Sequence, residues 1–346
     1  MTTQPTLERV AMAKAINLGL RRAMERDSKV MLMGEDIGPL GGVFRVTDAL
    51  QKDFGDARVV DTPLAESGIV GAAIGLAFAG YRPVCEIQFD GFIFPAFDQI
   101  TTQLAKVHYR SGGRVEMPIV IRVPYGGGIG AVEHHSESPE ALFAHTAGLR
   151  VVTPSTPSEA FTMIQQAIAS PDPVLFFEPK ARYWDKEEID THADDAALGL
   201  IEGPDGVAPG VAGLERARVL TSGTDVTVAA YGPTVRTALT AARVAGEEGR
   251  SLEVIDLRSI SPLDIDTVAT SVTKTGRLVV VHEAPTFFGA GAELAAAVTE
   301  RCFYSMQAPV LRVGGFHTPY PVANIEEEYL PSLDRVLDAV DATLGY

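Results

Sequence analysis

Two places in this sequence carry side chains able to move protons. One is Glu66, which follows the turn residues Asp61, Thr62 and Pro63 and precedes an apolar run ending at Gly80. The other is YGGGIGAVEHHSES, residues 125–138, where Gly126, Gly127, Gly128 and Gly130 lead to His134 and His135. Histidine exchanges protons near neutral pH, and glycines let a backbone move or approach a ligand closely. A carboxylate beside so much apolar surface is in the commoner case a solvated loop group; otherwise it sits in a dry pocket. For two histidines on a Gly-rich loop, structural and functional roles weigh evenly. A phosphate loop is disfavoured, because no GKS or GKT follows and the glycines do not fit GxGxxG. A zinc pair is disfavoured too, since adjacent histidines point apart and no third ligand is nearby in sequence.

The elements around these residues must place them. In DTPLAESGIVGAAIGLAFAG, residues 61–80, Pro63 resists a strand and Thr62 or Ser67 suits a helix start. The spacing predicts a turn that delivers Glu66, then a small-residue helix over 69–79. Gly68, Gly71 and Gly75 fall three and four apart and share one helix face. Each costs roughly 1 kcal/mol relative to Ala in a helix interior, so this face predicts close approach of another backbone at a subunit contact.

Elsewhere, short apolar runs alternate with helical periodicity. Helices are expected over 6–25, 47–54, 94–109 and 158–169, and strands over 29–33, 83–89, 118–123, 149–153 and 174–177. This is the pattern of a parallel α/β sheet covered on both faces. From Trp184 to about Glu215 the pattern dissolves into acidic residues and GPDGVAPG, which reads as a linker. A second alternating unit follows, with strands over 224–230, 251–257, 277–283 and 308–314, and helices over 234–248, 264–273, 290–302 and 331–343. The expected division is therefore a first domain over 1–185, a linker over 186–215 and a smaller domain over 216–346. Ligands of open parallel sheets bind beyond the carboxyl ends of the strands, so the loops at Glu66, 88–94 and 125–138 are the candidates. Glu86 and Gln88 alternate with apolar neighbours, which points one polar group inward. His282-Glu283 reads as a satisfied strand end, Arg258 and Arg312 as ion-paired surface groups, and His108, His145, His192 and His317 as structural.

Composition narrows the function. The 346 residues are 46% hydrophobic, with mean hydropathy +0.11. With 45 acidic against 29 basic side chains the net charge is −16, which argues against nucleic acid or an anionic membrane as partner. Cys85 and Cys302 lie far apart without metal spacing and read as core thiols of a reducing compartment. The N-terminus does not read as a secretory signal, and no run approaches the ~18 apolar residues of a membrane span, so a soluble, cytoplasmic protein is expected. No GDG is followed a few tens of residues later by Asn, the arrangement that holds Mg²⁺ and a diphosphate, and no nucleotide fingerprint is present. A catalytic site here would need residues from another chain.

With these residues in view, the sequence resembles the β subunit of the thiamine-diphosphate-dependent 2-oxo acid dehydrogenases, in the transketolase-like group. GEDIGPLGGVFRVT (34–47), RVVDTPLAESGIVGAAIGLA (58–77), EIQFDGFIFPAFDQI (86–100), HHSESPEALFAH (134–145), FFEPK (176–180), EVIDLRSISPLD (253–264) and TGRLVVVHEAP (275–285) match at corresponding places. The EIQF, FPAFDQ and FFEPK segments resemble the branched-chain enzyme more than the pyruvate enzyme.

The resemblance implies an α/β fold with a transketolase-like pyrimidine-binding domain and a transketolase C-terminal-like domain. It implies that, with an α subunit, the chain oxidatively decarboxylates branched-chain 2-oxo acids and transfers the acyl group to lipoamide. A pyruvate or acetoin dehydrogenase β subunit is the near alternative, and a non-catalytic assembly subunit the distant one. By resemblance, Glu66 hydrogen-bonds the aminopyrimidine of thiamine diphosphate, so that the cofactor's own amine can deprotonate its thiazolium carbon. Leu64 and Gln88 line the pyrimidine pocket, and Phe92 falls where many branched-chain β chains carry tyrosine. His135 matches the histidine that presents or protonates the lipoyl group, with His134 its neighbour. Ile119, Ala167, Ser170 and Asp172 match a backbone cradle for a structural monovalent cation such as K⁺. The diphosphate and Mg²⁺ would be held by the α subunit of an α2β2 heterotetramer, which docks on a dihydrolipoyl acyltransferase core.

Overall fold

Runs rich in Val, Ile and Met form short strands buried on both faces, as a parallel sheet between helical layers requires. The computed structural model describes residues 7–200 and 213–346. The GPDGVAPG part of the expected linker lies outside the described residues. In chain order the strands of the first half are β1 (Leu7–Ala11), β2 (Val30–Gly34), β3 (Val59–Asp61), β4 (Arg82–Glu86), β5 (Val120–Tyr125), β6 (Arg150–Val152), β7 (Val174–Pro179) and β8 (Lys186–Asp190). The second half adds β9 (Arg218–Thr221), β10 (Val226–Ala230), β11 (Leu252–Asp256), β12 (Ser259–Ser261), β13 (Leu278–Pro285) and β14 (Leu311–Gly315).

The larger sheet has the order β12-β6-β7-β5-β4-β2-β3 and is parallel except for β12 against β6. The smaller sheet has the order β14-β13-β10-β11-β9 and is parallel except for β9. Helices Met12–Arg26 and Pro157–Ala169 cross closely on one face of the large sheet. Their approach needs Gly19, where a Cβ would lie 2.4 Å from Ile164 Cγ2. Helix Glu66–Phe78 covers the other face, and its core continues into Ile255, Leu257 and Val280 of the second half. The two halves therefore share apolar core as well as strand β12.

The helices and strands expected after residue 223 are present within a few residues of their expected bounds. Most of the differences are non-local in origin. The helix expected from residue 6 begins at Met12, because Leu7–Ala11 instead pairs antiparallel with Lys186–Asp190 (Leu7 opposite Asp190). That pairing also puts a strand where a linker was expected; KEEID has no apolar alternation of its own and is a strand only because its partner supplies the ladder. The single helix expected over 94–109 is three pieces, Asp90–Ala96 as a 3-10 turn holding Pro95, a π segment at Gln99–Leu104, and Ala105–Arg110. Pro95 cannot donate into a helical ladder, and π segments mark local misfit in a helix. Arg258 is not a surface group. It is buried at the β11–β12 junction with positive φ, and its Nε donates to Glu159 Oε2 at 2.7 Å. Its carboxylate partner lies 99 residues away, out of reach of any local reading. Among the described residues, no helix is long and apolar enough to cross a membrane.

Candidate functional site

Three loops at the carboxyl edge of the large sheet carry the residues singled out above. After β3, the turn 62–65 leads directly into the helix, and Glu66 is its first residue rather than a loop group before it. Glu66 is only 7% exposed. Glu35, at the end of β2, is equally buried. Burial, then the charge of Glu66, push the Glu35 carboxyl above its usual range. Glu35 Oε1 and Thr62 Oγ1 are buried without a hydrogen-bond partner. Beside these groups Leu64 is 80% exposed, an apolar side chain left in the open. The edge thus combines two buried carboxyls, unpaired polar atoms and an uncovered apolar wall.

The glycine face of this helix is open. Nothing lies within 4 Å of a Cβ placed on Gly75, and Gly68 would meet only Ala65. Among the described residues, Gly71 alone has a neighbour from another element, Gln99 of the π segment, with Oε1 at 3.5 Å from a Cβ placed there, so the face is open at Gly68 and Gly75.

The loop after β4 supplies Gln88, whose Nε2 donates to Asp36 Oδ2 at 3.1 Å, and the aromatic pair Phe89 and Phe92. The loop after β5 brings His135 onto both rings, 4.0 Å from Phe89 and 5.2 Å from Phe92 between centroids. Ring packing, with no hydrogen bond to Nδ1, orients this imidazole. Burial, then the neighbouring His134, lower its pKa below the usual imidazole value. His134 is exposed, and its ring lies 4.3 Å from that of His135.

The support behind His135 was not singled out in the sequence. Lys180, the last residue of FFEPK, is fully buried and donates to Asp90 Oδ1 at 2.9 Å, while Asp90 Oδ2 accepts the Glu137 N–H at 2.9 Å. The glycines are held from the second half of the chain. Gly127 N–H donates to Glu283 Oε2 at 3.0 Å, and Gly128 and Gly130 donate to the two oxygens of Glu326 at 2.9 and 3.0 Å. Gly126, Gly128 and Gly130 have φ of +81°, +85° and +68°, which favours glycine, and a Cβ on Gly127 would lie 1.8 Å from Tyr320 Oη. So His282-Glu283 is no mere strand end, because Glu283 reaches across to the first half.

Beneath the site, Arg122 on β5 donates to Glu86 Oε2 (2.5 Å) and to both oxygens of Glu178 (2.6 and 2.9 Å), all buried. This answers which of Glu86 and Gln88 faces inward: Glu86 does. Nearby, Glu140 is fully buried and accepts from Tyr231 Oη at 2.6 Å; burial raises its carboxyl to about 8. A value raised on folding contributes stability that is whole below the ordinary carboxylate range and lost as pH climbs to about 8. Glu140→Gln is therefore expected to flatten the curve of Tm against pH over about pH 5 to 8, read by thermal melts in matched buffers.

The expected cation cradle shows other partners. Ile119 O accepts from Val174 N–H (2.9 Å), Ala167 O from Ser170 N–H (3.2 Å) and Asp172 O from Ser170 Oγ (3.0 Å). Arg82 Nη1 donates to Ile168 O at 2.9 Å and Ser170 O at 3.4 Å. The Asp172 carboxylate binds Arg150 and His108. A guanidinium thus already stands on this segment.

Residues 8–185 match the transketolase pyrimidine-binding domain family and 215–336 the transketolase C-terminal domain family. A pyruvate dehydrogenase E1 component subunit beta of Leifsonia xyli is 59% identical over 99% of this chain and 97% of its own. The chain belongs to the β subunits of the 2-oxo acid dehydrogenases. A 3-methyl-2-oxobutanoate dehydrogenase subunit beta of Mycobacterium tuberculosis is 51% identical, over 97% of this chain and 92% of its own. A split-gene transketolase, described as an inactive β4 tetramer, superposes with a TM-score of 0.75 over 97% of this chain and 98% of its own at 23% identity, which shows the shared fold. In this β subunit, the first domain's carboxyl-edge loops hold Glu66 and His135 while the second domain grips the glycines between β5 and His135.

Proposed function

We propose that this β subunit forms half of the decarboxylating component of a pyruvate dehydrogenase, working with an α subunit, thiamine diphosphate and Mg²⁺, and passing the acyl group to lipoamide on an acyltransferase core. The observation that carries the catalytic part is Glu66, a carboxylate buried at an edge that is otherwise uncovered. The residues fit an aminopyrimidine there: a carboxyl to bond a ring nitrogen, unpartnered polar atoms at Glu35 and Thr62, and apolar Leu64 and Phe92 to exclude water. Gln88 is anchored to Asp36 at the rim. The 80% exposure of Leu64 and the open glycine face support a site closed by another chain.

When bound, thiamine diphosphate would supply the carbanion-stabilising chemistry by which a 2-oxo acid loses CO₂. This chain's part is to hold and move protons. Glu66 offers a buried carboxylate in the first turn of a helix. His135 lies between Phe89 and Phe92; a proton that it takes up from solvent would pass readily to a dithiolane sulfur, because its lowered pKa makes the protonated ring a stronger acid. His134 stands exposed beside it.

Pyruvate as substrate is supported by the higher identity to a pyruvate-named relative. A branched-chain substrate is the second reading, favoured by the 51% identity to a 3-methyl-2-oxobutanoate-named relative and by EIQF, FPAFDQ and FFEPK. The test is turnover of the α/β assembly on pyruvate and on 3-methyl-2-oxobutanoate with a dye acceptor. Preference for pyruvate is expected; preference for the branched acid selects the second reading, and turnover of neither overturns both.

The same proposal sets Arg82, which donates to Ile168 O and Ser170 O, beside the carbonyls expected for a monovalent cation. A second positive charge about 4 Å from its guanidinium would cost about 4 kcal/mol at an effective dielectric near 20. Exchanging K⁺ for tetramethylammonium is expected to leave Tm unchanged. A rise in Tm with K⁺ concentration, absent with Na⁺, would show instead that the Ile119, Ala167, Ser170 and Asp172 carbonyls bind the ion.

A further inference from the structure

The Gly-rich loop has little else to hold it. Ile129 and Val132, its large aliphatic side chains, are exposed, and between β5 and the short turn Glu133–His135 it has no regular ladder. Gly126, Gly128 and Gly130, alternate residues with positive φ, help turn the loop's N–H groups inward, the geometry that elsewhere cradles an anion. Here the protein fills the cradle itself. Glu326 gives one oxygen to Gly128 and the other to Gly130, Tyr320 Oη donates to the same Glu326 at 2.8 Å, and Glu283 takes Gly127. Ten residues on from Gly127, Asp90, paired with buried Lys180, takes the Glu137 N–H. His134 and His135 sit between these fixed points, and Gly91 leaves no room for a side chain beneath them, since a Cβ there would lie 2.5 Å from His134 O.

We propose that Glu326, with Glu283, is a positioning residue through which the second domain holds the His135 loop in place for acyl transfer. The loop glycines exist to be gripped, and the ligand of their amides is internal. This inference rests on the role proposed for His135. Its consequence is a split between two half-reactions. Loosening the grip leaves Glu66 in place, because it lies on another loop, but lets the imidazole slide on Phe89 and Phe92 and wander from the incoming dithiolane.

The test compares Glu326→Ala, Glu326→Asp and Tyr320→Phe in the α/β assembly, with His135→Ala as reference. Lipoyl-coupled turnover of Glu326→Ala is expected to fall about tenfold or more, with dye-acceptor turnover within about twofold of the parent. Glu326→Asp, which keeps two acceptor oxygens, should recover most of the loss. A second readout needs no cofactor: amide hydrogen exchange of 126–138 should quicken in Glu326→Ala, and to a smaller extent in Tyr320→Phe, the milder change should the first not fold. Unchanged exchange in both variants, or equal loss of both activities, overturns the inference. If His135→Ala itself spares lipoyl-coupled turnover while exchange quickens in Glu326→Ala, the grip stands and the role of His135 falls.

Discussion

Replacing Glu66 with glutamine is expected to lower dye-acceptor turnover of the α/β assembly by about 10²- to 10⁴-fold, the range for removing a positioned proton-transfer group. Glutamine matches the shape of glutamate, so the helix start and the Ile69 and Val70 core beneath it should survive. Stability should not suffer. Burial first, and then charge repulsion from Glu66, raise the Glu35 carboxyl, and a neutral amide at 66 removes the second of these. The variant should therefore melt at the parent temperature or slightly above it, while losing turnover. Paired measurement of Tm and single-turnover dye reduction separates the cases: activity within tenfold of the parent, in a folded assembly, would deny Glu66 its role and favour a chain that only assembles partners.

The second large effect concerns stability. Arg122 lies across β4, β5 and β7 from Glu86 and Glu178, both buried, and Tyr183 Oη donates to Glu178 at 2.5 Å. Arg122→Ala leaves two buried carboxylates facing each other with no cation. Breaking a buried pair from one side costs about 3–5 kcal/mol, far more than an exposed pair is worth. Burial already holds the Glu86 carboxyl above its usual range, and the loss of Arg122 pushes it further. A carboxyl raised on folding destabilises as pH rises, so the deficit should be larger at pH 8 than at pH 5 in urea unfolding. A deficit below about 1 kcal/mol, or one that grows toward acid, would mean that water reaches the cluster. Converting Glu86, Arg122 and Glu178 together to apolar residues of similar volume should recover most of the stability.

Glu66 stood out because a carboxylate before a Gly/Ala run is unusual, and the loops at 88–94 and 125–138 were placed because strand ends are visible in the apolar pattern. The solvated reading of Glu66, which position alone favoured, gives way to a buried group at a helix start. Asp90 lay inside a marked loop, and Lys180 inside a quoted motif, yet neither was singled out, because their value is each other, 90 residues apart. Nothing marked Glu326, one of three consecutive glutamates, as the partner of glycines nearly 200 residues upstream. Of the substrate, the motifs pointed toward branched acids, whereas whole-chain identity leans toward pyruvate.

The sequence alone determined the alternation of strands and helices, the two α/β sheets, and which loops lie at their carboxyl ends. These follow from periodicities of 2 and 3.6 residues and from turn residues, which act over a handful of positions. Tertiary structure alone decided that LERVA and KEEID are strands, that Ser259–Ser261 joins the first sheet, that Arg258 is buried, and that the glycine loop closes on Glu326 and Glu283. Each depends on a partner about 90 to 200 residues away. Hydrogen bonds and ion pairs are satisfied by whatever group the fold brings near, and sequence distance carries no trace of that choice.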